Sequence, residues 1–265
     1  MGRLDRRQAM LTVAAGAVGL LAGGGPALAR AVQPDSTHKK GKPHGGASHG
    51  PPPDPGYAHG RPRQALQRPV HGLKDLAPPA PPTAIALTID DGPHPTFTPQ
   101  ILDVLAEFHV PATFSLIGEQ VTEYPDLVKR LVMSGHQVSD HTMSHPINLP
   151  QLAADRIKSE IGVAHDRIAQ LTGVAPKFFR APGGNWSTQV IDVATEHGMI
   201  SIDWAVDPRD WARPGTGSIA NSLLTAKAGD ILLCHDGGGD RTETIAALRT
   251  VIPALQKRGL TFVAL

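Results

Sequence analysis

From about Thr83 onward, short runs rich in Ile, Val, Leu and Phe alternate with longer stretches whose apolar residues recur every three or four positions. The short runs read as buried parallel strands and the longer stretches as amphipathic helices packed against them. The pattern predicts strands at 85–90, 112–117, 137–140, 177–180, 200–206, 231–234 and 261–265. Helices are predicted over 99–108, 126–133, 153–171 and 242–256. The last of these carries Ile245, Leu248, Ile252 and Leu255 at helical spacing, one stripe facing a core. About seven β/α units in succession imply an α/β fold, a distorted (β/α) barrel with roughly seven parallel strands rather than an open sheet. No internal repeat is visible.

Two segments ahead of Thr83 break the pattern. Residues 1–29 read as an export signal: Arg3, Arg6 and Arg7 precede an uncharged apolar run over 9–21, and Ala27-Leu28-Ala29 offers small residues for cleavage. The run is too short and glycine-rich for a comfortable membrane span, so no transmembrane anchor is expected after cleavage. The adjacent Arg6 and Arg7 admit the twin-arginine route as well as the general one. Residues 30–82 are dense in Pro and Gly, poor in aliphatic residues, and carry His38, His44, His49, His59 and His71. Such a stretch buries too little apolar surface to offset its ordering entropy, and is expected to be a disordered linker. Its histidines are irregularly spaced, which favours a tether across a bacterial cell wall over metal capture. The catalytic segment is expected to span 83–265.

Composition narrows the classes. At 265 residues and 40% apolar content, the chain holds one good-sized core plus appendages. A net charge of +1 provides no concentrated basic face for nucleic acid. Cys234 is the only cysteine, so no intrachain disulfide forms.

Five polar clusters stand where predicted strands end, the face on which a (β/α) barrel assembles its site. The first is Thr88-Ile89-Asp90-Asp91-Gly92-Pro93. Adjacent carboxylates raise one another's pKa unless a cation intervenes, although Asp-Gly-Pro alone is also a common turn. The second is His141-Thr142-Met143-Ser144-His145, whose imidazoles can point the same way on a helical turn. With Asp91 they make two imidazoles and a carboxylate, the donor set of an open catalytic metal site. The third, Arg180-Ala181-Pro182-Gly183-Gly184, sends an arginine out of a core strand, and Asp90 is its natural partner. The fourth is Asp207-Pro208-Arg209-Asp210-Trp211, in which Trp211 either walls a sugar pocket or simply packs. The fifth, Leu232-Leu233-Cys234-His235-Asp236, ends an apolar strand on a histidine placed for proton transfer or for a structural bond.

In this order and over about 150 residues, the five segments resemble the motifs of the polysaccharide deacetylases of carbohydrate esterase family 4, whose shared unit is the NodB homology domain. The matches are TIDDGP, HTMSH, RAPGG, DPRDW and LLCHD. Ile89 stands where that family usually has Phe, and Gly183 where many members have Tyr, so an aromatic substrate contact is missing. The resemblance implies that Asp90 is the general base, that Asp91, His141 and His145 hold one divalent metal ion (zinc, with cobalt and nickel as the other candidates), and that Arg180 keeps Asp90 ionised. It further implies that His235 is the general acid, oriented by Asp210. Gly183 N–H would stabilise the oxyanion, and Trp211 and Leu233 would line the pocket of the acetyl methyl.

The expected activity is therefore hydrolysis of N-acetyl groups on an N-acetylhexosamine polysaccharide, peptidoglycan or chitin-like oligomers, by an exported or wall-associated bacterial enzyme. Two alternatives stand beside it: an O-acetyl esterase acting on acetylxylan, and an inactive carbohydrate-binding module that kept the fold.

Overall fold

The computed structural model describes residues 67–265. The expected export signal, and residues 30–66 of the expected linker with His38, His44, His49 and His59, lie outside the described residues. Among the described residues seven strands form one sheet: β1 (Ala84–Gly92), β2 (Thr113–Leu116), β3 (Gln137–Asp140), β4 (Phe178–Phe179), β5 (Ile200–Ser201), β6 (Ile231–His235) and β7 (Thr261–Val263). Every pairing is parallel, in the order β5-β4-β3-β2-β1-β6, with β7 paired to the start of β1. The expected α/β architecture is present. Beyond β5 the chain bridges β6 at Val206 and Leu232, which curls the sheet toward a closed barrel.

β1 shows how residue type decides which way a side chain points. Ile85, Leu87 and Ile89 join the main core with the helices, whereas Ala84 and Ala86 join a second cluster with Phe178, Ile200, Ile231 and Leu265. Strand alternation thus puts bulk on the helix side and small or polar residues on the barrel side. The barrel side continues upward as Thr88 and Asp90, both buried.

The helices are α1 (Phe97–Glu107), α2 (Gly118–Glu123), α3 (Pro125–Met133), α4 (Ala154–Thr172), α5 (Thr188–Glu196), α6 (Thr216–Leu223) and α7 (Thr242–Lys257). The predicted helices correspond to α1, α3, α4 and α7; periodicity did not disclose α2, α5 or α6. These three span 6, 9 and 8 residues, about two turns each, too short for a period to emerge. α5 did carry a local signal: Ser187 caps it, its side chain accepting a hydrogen bond from Val190 N.

One boundary is corrected. The linker was expected to reach residue 82, yet the fold begins by Val70. Val70 N donates to Ser201 O at 2.9 Å, and Asp203 N donates to Val70 O at 2.7 Å. Leu73, in the short 3-10 turn Leu73–Asp75, is fully buried, and Leu76 packs in the same cluster. Three aliphatic residues set among prolines suffice to cover the base of the barrel, and average composition hid them. The predicted strand at 200–206 is also shorter, since residues past Ser201 make only isolated bridges to Val70 and Leu232.

Register levels the strand ends. Asp90 pairs with His235 and with Ser115, Leu116 with Asp140, and Asp140 with Phe179. Asp90 and His235 are therefore level, and His141 and Arg180 emerge about two residues above them.

Candidate active site

Successive residues of a strand face opposite ways, so Asp90 and Asp91 should not share a pocket. The ladder breaks between Asp90 and Gly92, and Asp91 takes a left-handed φ of 76°. This bulge turns Asp91 toward the side that Asp90 faces. It closes tightly against the end of β6: a Cβ on Gly92 would run into the Asp236 carboxylate, and one on Gly237 into the Asp91 carbonyl.

The histidine pair meets Asp91 by a different route from the one expected. Residues 141–145 form no helical turn; they are a loop with Thr142 at φ 67° and His145 at φ 58°. Buried Glu160 of α4 pins this loop, accepting from Ser144 N and Oγ at 2.8 Å each, while its backbone carbonyl takes Met143 N at 2.8 Å. His141 Nδ1 lies 2.7 Å from the Arg180 carbonyl, so it carries the proton and leaves Nε2 with a free lone pair. His141 Nε2 and His145 Nε2 lie 3.4 and 3.1 Å from Asp91 Oδ1.

The three donor atoms fall within 4.8 Å of one another. Asp91 Oδ1 is nevertheless buried without a hydrogen bond. Donors that converge on a shared point and not on each other are arranged as for a cation, and the residue set fits a divalent metal ion. Burial alone would raise the Asp91 pKa, but the His141 and His145 imidazoles beside it hold the carboxyl well below the usual range. At His141, burial acts downward and the carboxylates of Asp90 and Asp91 outweigh it, raising the imidazole.

Arg180 follows β4 and is completely buried. Its Nη1 donates to Asp90 Oδ1 at 2.7 Å and to Thr88 Oγ1 at 2.9 Å, and Nη2 to the Asp203 carbonyl at 2.9 Å. Removing one partner of such a pair strands a buried charge and costs about 3–5 kcal/mol. On the far side, His235 Nδ1 lies 2.6 Å from Asp210 Oδ1, and His235 N donates to Asp210 Oδ2 at 2.9 Å. Thr244 Oγ1 and Trp211 N complete the shell of Asp210. Burial would lower the His235 pKa, but the bond to Asp210 and its charge prevail and push it up to about 9.

A cavity of about 560 Å³ joins these groups. Asp90, Asp91, His141, His145 and His235 all border it. Gly183, Trp211 and Leu233 border it too, with Trp211 half exposed at the rim and Leu233 buried at the wall. Arg180 and Asp210 stand behind, each bonded to a residue that borders it. Sequence reasoning left out Ile147, Trp204 and Arg241, which also line the cavity. Ile147 stands two residues past the second motif and Arg241 two residues past the triple glycine after the fifth, so proximity to motifs was their only signal.

A nearly closed parallel barrel with a carboxylate and two imidazoles at its strand ends, flanked by a second carboxylate and a third imidazole, fits the class of metal-site α/β hydrolases. A family model described as polysaccharide deacetylase matches residues 77–202. A chitooligosaccharide deacetylase of a Bradyrhizobium species is 41% identical over 189 residues, covering 66% of this chain and 86% of that protein. A peptidoglycan-N-acetylglucosamine deacetylase of Bacillus cereus is 42% identical over 182 residues, covering 68% and 84%. Among solved structures, a peptidoglycan N-acetylglucosamine deacetylase bound to an N-hydroxybenzamide compound superposes with a TM-score of 0.67 at 37% identity, covering 69% of this chain and 86% of that one. The chain belongs to the polysaccharide deacetylase family, carbohydrate esterase family 4.

Proposed function

We propose that this protein is a metal-dependent hydrolase that removes N-acetyl groups from an N-acetylhexosamine polysaccharide, peptidoglycan or chitin-like oligomers. The observation that carries the reading is the convergence of Asp91, His141 and His145 within 4.8 Å beside Asp90 and His235 in one cavity. The names of the relatives at about 40% identity agree with it.

The ion is zinc, with cobalt and nickel as the other candidates, held by Asp91, His141 and His145. When bound it supplies Lewis-acid polarisation of the acetyl carbonyl and lowers the pKa of water. Asp90, hydrogen-bonded to Arg180, accepts the proton of the attacking water. His235, held by Asp210 with Nε2 toward the cavity, gives its proton to the departing nitrogen as the C–N bond breaks. The products are acetate and a free amine. Gly183 N–H donates to the carbonyl oxygen as that atom gains charge. Leu233 and Trp211 bound the space of the acetyl methyl and the sugar ring.

Export belongs to the same reading. Residues 1–29 direct the chain out of the cytoplasm, and the stretch from 30 to the start of the fold tethers the catalytic unit at the wall. Among the described residues no helix is long and apolar enough to cross a membrane.

The test is mass spectrometry of chitooligosaccharides, peptidoglycan fragments and acetylxylan after incubation with the zinc-loaded protein. Loss of acetyl mass from the amino sugars is expected. Release from acetylxylan alone would make the protein an esterase. Glycan binding without any release would make it an inactive binding module.

A further inference from the structure

Among the described residues two arginines are buried at this cavity, and only Arg180 makes an ion pair within 4.0 Å. Arg180 meets Asp90 and two further acceptors. Arg241, in the turn between β6 and α7, is 2% exposed. Its Nε donates to the Gly237 carbonyl at 2.7 Å, which fixes the plane of the guanidinium. Among the described residues no carboxylate lies within 4.0 Å of it, and neither Nη atom donates a hydrogen bond. Two acidic groups stand nearby without forming an ion pair with it: Asp240, whose carboxyl pKa the bonds from Thr242 lower and Arg241 helps to lower, and Asp91, whose Oδ2 lies beside Gly238. Asp91 Oδ1 faces the two imidazoles, and Asp240 Oδ1 accepts from Thr242 N and Oγ1 at 2.9 and 2.6 Å.

Arg241 borders the same cavity as Asp91 and His235. The space beside Gly238 is bounded by Asp91 Oδ2 on one side and Arg241 Nη2 on the other. A guanidinium stays charged at every working pH, and burying one without an anion is unfavourable enough that such groups are paired or await a partner. Its planar fork matches a carboxylate through two parallel hydrogen bonds.

We propose that Arg241 is a carboxylate-binding residue of this cavity, taking either an acidic substituent on the bound hexosamine or the acetate released from it. The proposal rests on the deacetylase reading for the identity of the ligand and not for the existence of the site. An acidic substituent makes Arg241 a specificity residue that favours anionic over neutral sugars. Acetate makes it the residue that retains product. A purely structural Arg241 would serve only through Nε, tying the triple-glycine turn, and would be indifferent to ligand charge.

The test compares the zinc-loaded wild type with Arg241→Gln and Arg241→Lys, each checked for zinc content and circular dichroism. Ligand-observed NMR titrations, which read weak affinities, follow N-acetylmuramic acid, N-acetylglucosamine and acetate. Arg241→Gln is expected to weaken a carboxylate-bearing probe by about tenfold more than the neutral sugar, with Arg241→Lys in between. A selective loss on N-acetylmuramic acid assigns the substituent, and a loss on acetate alone assigns the product. Equal changes for all three probes, or none, overturn the proposal. If the wild type released no acetate from any glycan, the deacetylase reading would fall, and the titrations would still decide whether Arg241 binds carboxylates.

Discussion

Three residues other than glycine in the proposed metal-ligand set and its loop, Asp91, Thr142 and His145, adopt left-handed backbone conformations. Each such residue costs on the order of 1–3 kcal/mol, and the cost is tolerated where surrounding bonds over-determine the geometry. Here Glu160 holds the histidine loop, and the packing of Gly92 and Gly237 against Asp236 and Asp91 holds the bulge. The bulge lets Asp90 and Asp91 act in one pocket with different partners, arginine for the first and imidazoles for the second. Asp90→Asn, with zinc still bound, is expected to lower kcat by about 10²–10⁴-fold on chitooligosaccharide. Wild-type turnover in that variant would remove Asp90 as the base. His235 stands above its ordinary value of 6.5 because of Asp210, so in the metal-free protein the pair contributes stability that is complete below pH 6.5 and is lost as pH rises through about 9. A bound cation opposes this rise. NMR titration of metal-free protein should find the His235 midpoint near 9 and a lower one in Asp210→Asn; an unchanged midpoint would mean that Asp210 does not set it.

At the scale of elements, the segment before β1 is the part most at odds with its composition. Leu73 is fully buried against the base of the barrel, and its backbone N–H donates to Gly229 O at 2.8 Å. Leu73→Ala should lower the free energy of unfolding by about 2–5 kcal/mol in urea titrations. A loss near zero would return the segment to the linker. The strands were legible because a parallel strand buried on both faces reads as an apolar run: the burial of β1 from Ala84 through Asp90 is unbroken. Helices α1, α3, α4 and α7 were legible from their stripes. Short α2, with only Gly118 and Val121 buried, offered no stripe to read.

For the molecule as a whole, the site is a product of closure. Its proposed metal ligands come from two strand ends, β1 and β3, and its proposed acid–base pair from β1 and β6. A ligand bound only by the folded state stabilises it by mass action, about 2.7 kcal/mol at a hundredfold excess over Kd. Chelation should therefore lower the thermal midpoint and abolish acetate release, with both restored by added zinc. A midpoint indifferent to chelation and zinc would count against a metal held by Asp91, His141 and His145.

The sequence by itself determined the α/β class, most of the strands and the residue types of the site, because burial and chemistry act on local composition. The five motifs could be read in order from the chain alone. What closes the barrel, where the fold begins, and how the donors aim were decided only in three dimensions. Asp91 turns inward through a bulge that follows from packing against Gly237 and Asp236, the His141–His145 loop takes its form from a glutamate on α4, and Arg241 enters the cavity from a turn with no pattern of its own. Each depends on contacts between residues distant in sequence, which a local pattern does not encode.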